Sequence, residues 1–172
     1  MIDLLVDIVS RNGNLLLNVP LPASGMPDDE ELKILDAITA WMRVNSEAIY
    51  ATRPWKIFGE GPAIAKSAPG GGMNGTPEHF NENQRKDLTG ADIRFTTKAG
   101  ALYACAMGHN TRETRITSLA TSRGLESRKV ARVALLGSAE PLKWTQTPGG
   151  LIISSPQRWP GEHAVIFKIQ FA

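Results

Sequence analysis

Carboxylates come first among the side chains that could do chemistry here, because hydrolysis of a glycosidic bond ordinarily takes two of them, one as acid/base and one as nucleophile or base. Glu60, set between Gly59 and Gly61 and followed by Pro62, is the most conspicuous isolated acid. Nothing at a pairing spacing accompanies it, and a loop glutamate is ordinarily solvated. The run Asp28, Asp29, Glu30 and Glu31 is better explained as charge at a helix N-terminus, where the helix dipole favours it. His79, His109 and His163 lie far apart, and none has a Cys or carboxylate at a recognised ligand spacing, so no metal is expected. Ser24 and Ser46 sit outside any Gly-x-Ser-x-Gly elbow. Gly70-Gly71-Gly72 lacks both a preceding strand and a following Lys-Ser/Thr, so it is not read as a phosphate loop. Cys105 sits in the apolar run Ala101 to Met107 and reads as a buried strand thiol, not a nucleophile. Of Trp55, Trp144 and Trp159, the last, just before Pro160-Gly161, is the best placed to offer a face to a sugar ring.

Composition narrows the partners. Lys and Arg number 19 against 17 Asp and Glu in 172 residues, a net charge of +2 that gives no argument for nucleic acid. A hydrophobic content of 42% suits a chain that builds a core. No stretch approaches the roughly 20 consecutive apolar residues of a membrane span. One cysteine allows no intrachain disulfide. The opening residues mix Asp3 and Asp7 into an apolar run without a basic leader, and so do not read as a signal peptide.

Three kinds of element must position these residues. Leu4, Leu5, Ile8 and Val9 recur at helical spacing, and Asn12-Gly13 is a good helix stop. Leu15 to Val19, apolar except for Asn18, predicts a fully buried parallel strand, and Pro20, Pro22, Gly25 and Pro27 predict a stiff loop after it. A second helix follows, with Leu32, Leu35, Ile38 and Met42 as its apolar stripe, widened by Ile34 and Trp41. This helix, strand, loop, helix order is α/β repeat syntax, and a parallel strand needs neighbours. Arg53 to Pro62 reads as a rigid aromatic elbow. From Gly59 to Gly90, glycine and proline dominate as in a linker. Beyond it, short strand patterns recur: Ile93 to Thr97, Ala101 to Met107, Arg115 to Leu119, Lys129 to Leu136, Leu142 to Gln146, Leu151 to Ser155 and Ala164 to Phe171. Turn signals separate them, including Lys98-Ala99-Gly100 and Pro148-Gly149-Gly150, and the spacing predicts a small antiparallel sandwich.

Asp7 to Pro20 resembles the last-strand segment of the α-L-fucosidases of glycoside hydrolase family 29. Val44 to Trp55 is similar to that family's exit from its final barrel helix. Gly59-Glu60-Gly61-Pro62 and Asp92 to Lys98 resemble the link into its C-terminal sandwich, and Leu135 to Ser138 with Leu142-Lys143-Trp144 resembles the sandwich's middle. The chain departs from the pattern at Leu21 to Gly25, which lacks an acid before the glycine, and in the longer insert Gly70 to Pro77.

The resemblance implies an α/β plus all-β chain: residues 1–58 as the last strand and flanking helices of a (β/α)8 barrel, 59–90 as a Gly/Pro-rich linker, and 91–172 as a C-terminal antiparallel β-sandwich. It implies a retaining α-L-fucosidase acting on terminal fucose of glycoconjugates or oligosaccharides, without metal or organic cofactor. It also implies that both catalytic carboxylates lie upstream of Asn12, so that no catalytic residue is expected in this chain. A complete barrel needs roughly 250 residues, so this reads as a C-terminal piece, inactive alone, onto whose residues 1–58 an N-terminal barrel segment packs. Asn18, at the C-terminal end of the last strand, and Trp159 are the candidate substrate contacts. The expected partner is a fucosylated glycan, with no nucleic acid and no membrane, and the resemblance suggests a periplasmic or secreted bacterial protein. The alternative is a non-catalytic carbohydrate-binding sandwich, for which an exposed coplanar pair of aromatics would speak.

Overall fold

A computed structural model describes residues 1–65 and 88–172; the Gly70-Gly71-Gly72 run, the Gly70 to Pro77 insert and His79 lie outside them. Helix α1 (Ile2–Ser10) stops where the sequence says it should. Asn12 takes the left-handed conformation at φ 65°, and the Gly13 N–H closes the end on the Ile8 carbonyl at 2.9 Å. Its covered side differs from the expected stripe: Ile2, Val6 and Ser10 are buried, with Leu5 and Val9 packed beside them. Helix α2 (Asp29–Asn45) begins on an Asp28 side chain that accepts the Glu30 and Glu31 N–H groups at 2.9 and 3.1 Å.

Eight strands follow among the described residues: β1 (Arg53–Glu60), β2 (Ile93–Lys98), β3 (Ala101–Ala106), β4 (Glu113–Ile116), β5 (Val130–Leu135), β6 (Trp144–Thr147), β7 (Gly150–Ser154) and β8 (Val165–Phe171). All pairings are antiparallel. They form a five-stranded sheet in the order β1-β2-β3-β8-β5 and a three-stranded sheet in the order β4-β7-β6. The predicted hairpin at Lys98 is tight, with Lys98 opposite Ala101 and both Ala99 (φ 49°) and Gly100 (φ 79°) left-handed, as a two-residue turn between right-twisted strands requires.

Between the sheets lies a dry core. Alternate residues of β2, β3 and β8 (Phe95, Leu102, Ala104, Phe167, Ile169) meet Ile116, Leu151 and Ile153 of the small sheet. The intervening residues Ala101, Tyr103, Cys105 and Ile166 point the other way and pack under Ile2, Val6 and Trp41 of the helices. Strand β3 is therefore buried along its whole length, and the molecule has three layers: helices, large sheet, small sheet.

Two expectations change. The buried strand over Leu15 to Val19 does not form; the segment is unpaired, and Leu16 is 86% exposed. A parallel strand draws its hydrogen bonds from neighbours, and the described residues supply none beside it. Nor is Arg53 to Pro62 an elbow. Most of it is the edge strand β1, which pairs with β2 through Arg53 opposite Thr97 and Glu60 opposite Ile93, so this strand straddles the division expected at residue 58. Pairing outweighs Pro54 here because an edge position needs no donor from it. Gly59 is required for the approach: a Cβ there would come within 2.5 Å of the Ile93 carbonyl.

Candidate functional site

The most tempting acid, Glu60, is fully engaged by backbone. At the end of β1 its two oxygens accept the Thr117 and Ser118 N–H groups, each at 2.6 Å, and the Ser118 hydroxyl as well. Those N–H groups open the 3-10 turn Thr117–Leu119 that follows β4, so the carboxylate ties the edge of the large sheet to the small one. Asp92, 2% exposed, accepts from the Ala63 N–H at 2.8 Å and from the Thr89 N–H and hydroxyl at 3.0 and 3.1 Å. Glu47 accepts the Tyr103 hydroxyl at 2.9 Å and pairs with Lys168 at 2.7 Å. The Lys168 hydrogen bond holds the Glu47 carboxyl below its usual range against the opposing effect of burial, while burial and the adjacent Glu47 push the Tyr103 phenol up.

Asp7 joins α1 to the large sheet. It pairs with Arg94, whose side chain is 4% exposed, and with Arg11 at 3.1 Å. Burial alone would raise the Asp7 carboxyl, but the hydrogen bond and charge of Arg94, helped by Arg11, outweigh it and hold the group low. The Phe58 ring lies beneath both guanidinium groups, 3.8 Å from Arg11 and 5.7 Å from Arg94. These carboxylates hold elements together and do not stand as an acid and a nucleophile across an open cleft. Sequence reading missed Asp92 and the Asp7–Arg94 pair; for Asp92 the position just ahead of a strand, three residues after Thr89, was the available signal, whereas nothing in the sequence links residues 7 and 94.

Cys105 is buried on the helix-facing side of β3, and that burial pushes its thiol far up, as expected for a structural cysteine. Among the described residues no group of three or more His, Cys, Asp or Glu could hold a metal, and no helix is long and apolar enough to cross a membrane. Trp55, Trp144 and Trp159 are each partly buried against the inter-sheet core. Trp55 meets Phe95 edge-on at 5.0 Å, Trp144 packs on the inter-sheet core, and Trp159 does the same while stacking on His109 at 4.7 Å with planes 3° apart. His109 covers one face of Trp159.

Asn18 lies exposed in the unpaired segment after α1, among large apolar side chains that nothing in the described residues covers. Leu16, Leu21 and Met26 are 86, 56 and 68% exposed, and on α2 Leu32 and Ile34 are 45 and 50% exposed. The C-terminal half of α2 instead meets the large sheet, where the Trp41 indole N–H donates to the Ala164 carbonyl at 2.7 Å, and in the 3-10 turn that follows it the Ala48 carbonyl accepts the Thr96 hydroxyl at 2.8 Å. Large apolar side chains thus stay exposed in the first half of α2 and in the segment before it.

This geometry has relatives. Residues 1–47 match the family model described as alpha-L-fucosidase, and residues 84–170 match that of the alpha-L-fucosidase C-terminal domain. Tissue alpha-L-fucosidase of Mus musculus is 28% identical over 99% of this chain and 30% of its own length, and that of Homo sapiens is 29% identical over 91% and 27%. The chain thus spans less than a third of the length of the curated relatives it matches. In three dimensions it is similar to the alpha-fucosidase of Thermotoga maritima, with a TM-score of 0.69 at 23% identity over 98% of this chain and 33% of that one. An alpha-L-fucosidase of glycoside hydrolase family 29 from Bacteroides thetaiotaomicron gives 0.65 at 20% identity, over 99% and 31%. At such identities the structural likeness speaks for fold: antiparallel sheets with few helices, as in the fucosidase C-terminal domain. Because the C-terminal-domain model alone takes in just over half of the residues, the chain belongs to the α-L-fucosidase family.

Proposed function

We propose that this chain acts as the C-terminal portion of a retaining α-L-fucosidase that removes terminal α-L-fucose from glycoconjugates or oligosaccharides. In this reading residues 1–58 complete a (β/α)8 barrel whose other strands and catalytic carboxylates come from a preceding segment, and the sandwich buttresses that barrel. The single observation that carries it is the uncovered apolar surface of Leu16, Leu21, Leu32 and Ile34, lying in the stretch that matches the catalytic family model. An unpaired segment of almost unbroken apolar sequence, as over Leu15 to Val19, is what the last strand of a barrel leaves when its neighbours are absent. Docked there, Leu15 to Val19 would gain parallel neighbours and bring Asn18 to the barrel mouth, the face on which barrel enzymes place their sites. Asn18 and Trp159 both remain candidate contacts, Trp159 being partly exposed with one face stacked on His109. A periplasmic or secreted location belongs to the same proposal.

The test is hydrolysis of an aryl α-L-fucoside. The chain alone is expected to give no turnover; joined to the upstream barrel portion of a relative, it is expected to give turnover that Asn18→Leu reduces. Turnover by the chain alone that Glu60→Gln abolishes would overturn the proposal.

A further inference from the structure

A second feature lies where β1 begins, at the hairpin end of the large sheet. The start of β1, the β2–β3 turn, residues 126–128 and Phe171 of β8 line an open polar cleft of about 600 Å³, within the size range of small-ligand sites. Arg53, Lys56, Lys98 and Arg128 line it against one carboxylate, Glu126. A local excess of three positive charges thus stands in a chain whose net charge is only +2.

The four cations are not equivalent. Glu126 is taken by Arg128, which meets it through two guanidinium nitrogens at 2.9 Å each and lies 4.4 Å above the Phe171 ring. The other three are held by main-chain carbonyls instead: Lys56 by Leu125 at 2.5 Å, Lys98 by Tyr50 at 2.9 Å and Arg53 by Thr52 at 3.0 Å. None of the three forms a salt bridge among the described residues, although Lys56 lies within electrostatic reach of Glu126 and Lys98 within reach of Glu47. A carbonyl steadies a cation without neutralising it, and each ammonium or guanidinium keeps further N–H donors for another acceptor. Trp55 adds an apolar wall beside them.

We infer that this cleft binds a saccharide carrying a sulfate ester or a carboxylate, with the anionic group among Arg53, Lys56 and Lys98. The anion requirement stands on the cleft alone; the saccharide rests on the function proposed above. A nucleic acid would call for a basic stripe running along a face, whereas here the excess charge is confined to one hollow.

Calorimetric titration of the whole chain with 6-O-sulfated lactose, unsulfated lactose, inorganic sulfate and hexaglutamate tests the inference. The sulfated disaccharide is expected to bind and lactose not to. Lys98→Gln should weaken binding about three- to tenfold, and Arg53→Gln with Lys98→Gln about ten- to a hundredfold, with circular dichroism unchanged. Raising salt from 50 to 500 mM should weaken it too. Sulfated lactose binding no better than lactose, affinity untouched by either variant, or equal binding of sulfate or hexaglutamate would each overturn it. Binding is read without fucoside turnover, so a chain that binds the sulfated sugar but never supports hydrolysis refutes the proposed function and leaves the cleft standing.

Discussion

Replacing Asp7 with alanine should be among the most damaging single changes on the helix-facing side of the large sheet. Arg94 is 4% exposed and Asp7 21%. Without the carboxylate, the Arg94 guanidinium keeps its hydrogen bond to the Ile93 carbonyl at 3.1 Å but loses its counter-charge. Breaking a buried pair from one side costs about 3–5 kcal/mol, and the one-fifth exposure of Asp7 places this case at the lower end, about 3 kcal/mol. The lost contact to Arg11, half exposed, adds less than about 1 kcal/mol. At about 2–4 °C per kcal/mol for a chain of this size, Tm should fall by roughly 6–12 °C. Arg94→Met removes the buried charge itself and leaves Asp7 beside Arg11, so it should cost less, and the double variant should cost less than the sum of the two. Urea unfolding followed by tryptophan fluorescence measures all three. The pH dependence has a definite sign: the Asp7 carboxyl is held low in the folded state, so its contribution is present above the unfolded value near pH 4 and is lost as pH falls below it. An Asp7→Ala cost under about 1 kcal/mol, or strict additivity with Arg94→Met, would refute the account of this pair as a buried tether.

Three further outcomes are expected. Glu60→Gln should destabilise the chain by about 1–3 kcal/mol, because a neutral amide oxygen replaces a charged acceptor and its NH2 faces the Thr117 and Ser118 N–H groups; a melt unchanged from the parent would contradict the tie between the sheets. The chain alone should bind an apolar fluorescent dye strongly, and Leu16→Ser with Leu32→Ser should weaken that signal, since both side chains are exposed; dye binding indifferent to the pair would mean that the apolar surface lies elsewhere. Cys105 should resist a disulfide reagent in the native chain and react within minutes in denaturant, as read by thiol release; fast native reaction would show that the helix layer does not seal β3.

Much of the scaffold was legible locally. The acidic start of α2, the Asn12 stop and the Lys98 to Ala101 turn are matters of a few adjacent residues, and each formed as its chemistry predicts. Strand patterns near Ile93, Ala101, Leu151 and Ala164 stood out for the same reason. Their limits shifted where a turn took over: the pattern at Arg115 to Leu119 became β4 plus the turn that Glu60 caps. The roles of the acids were not legible. Glu60 looked solitary because its partners are 57 and 58 residues away, and the cations of the cleft are distributed over three separate stretches of chain.

By itself the sequence determined where the two long helices and most strands of the sandwich lie and which family motifs they carry, because period and turn residues act within a few positions of one another. Tertiary structure decided what each face meets. Ala101 to Met107 reads as apolar throughout, but only the fold divides it into a side facing the sandwich core and a side under Trp41. Leu15 to Val19 carries the composition of a buried strand and lies open, because strand pairing and burial are supplied by neighbours from elsewhere, and no local pattern can provide them.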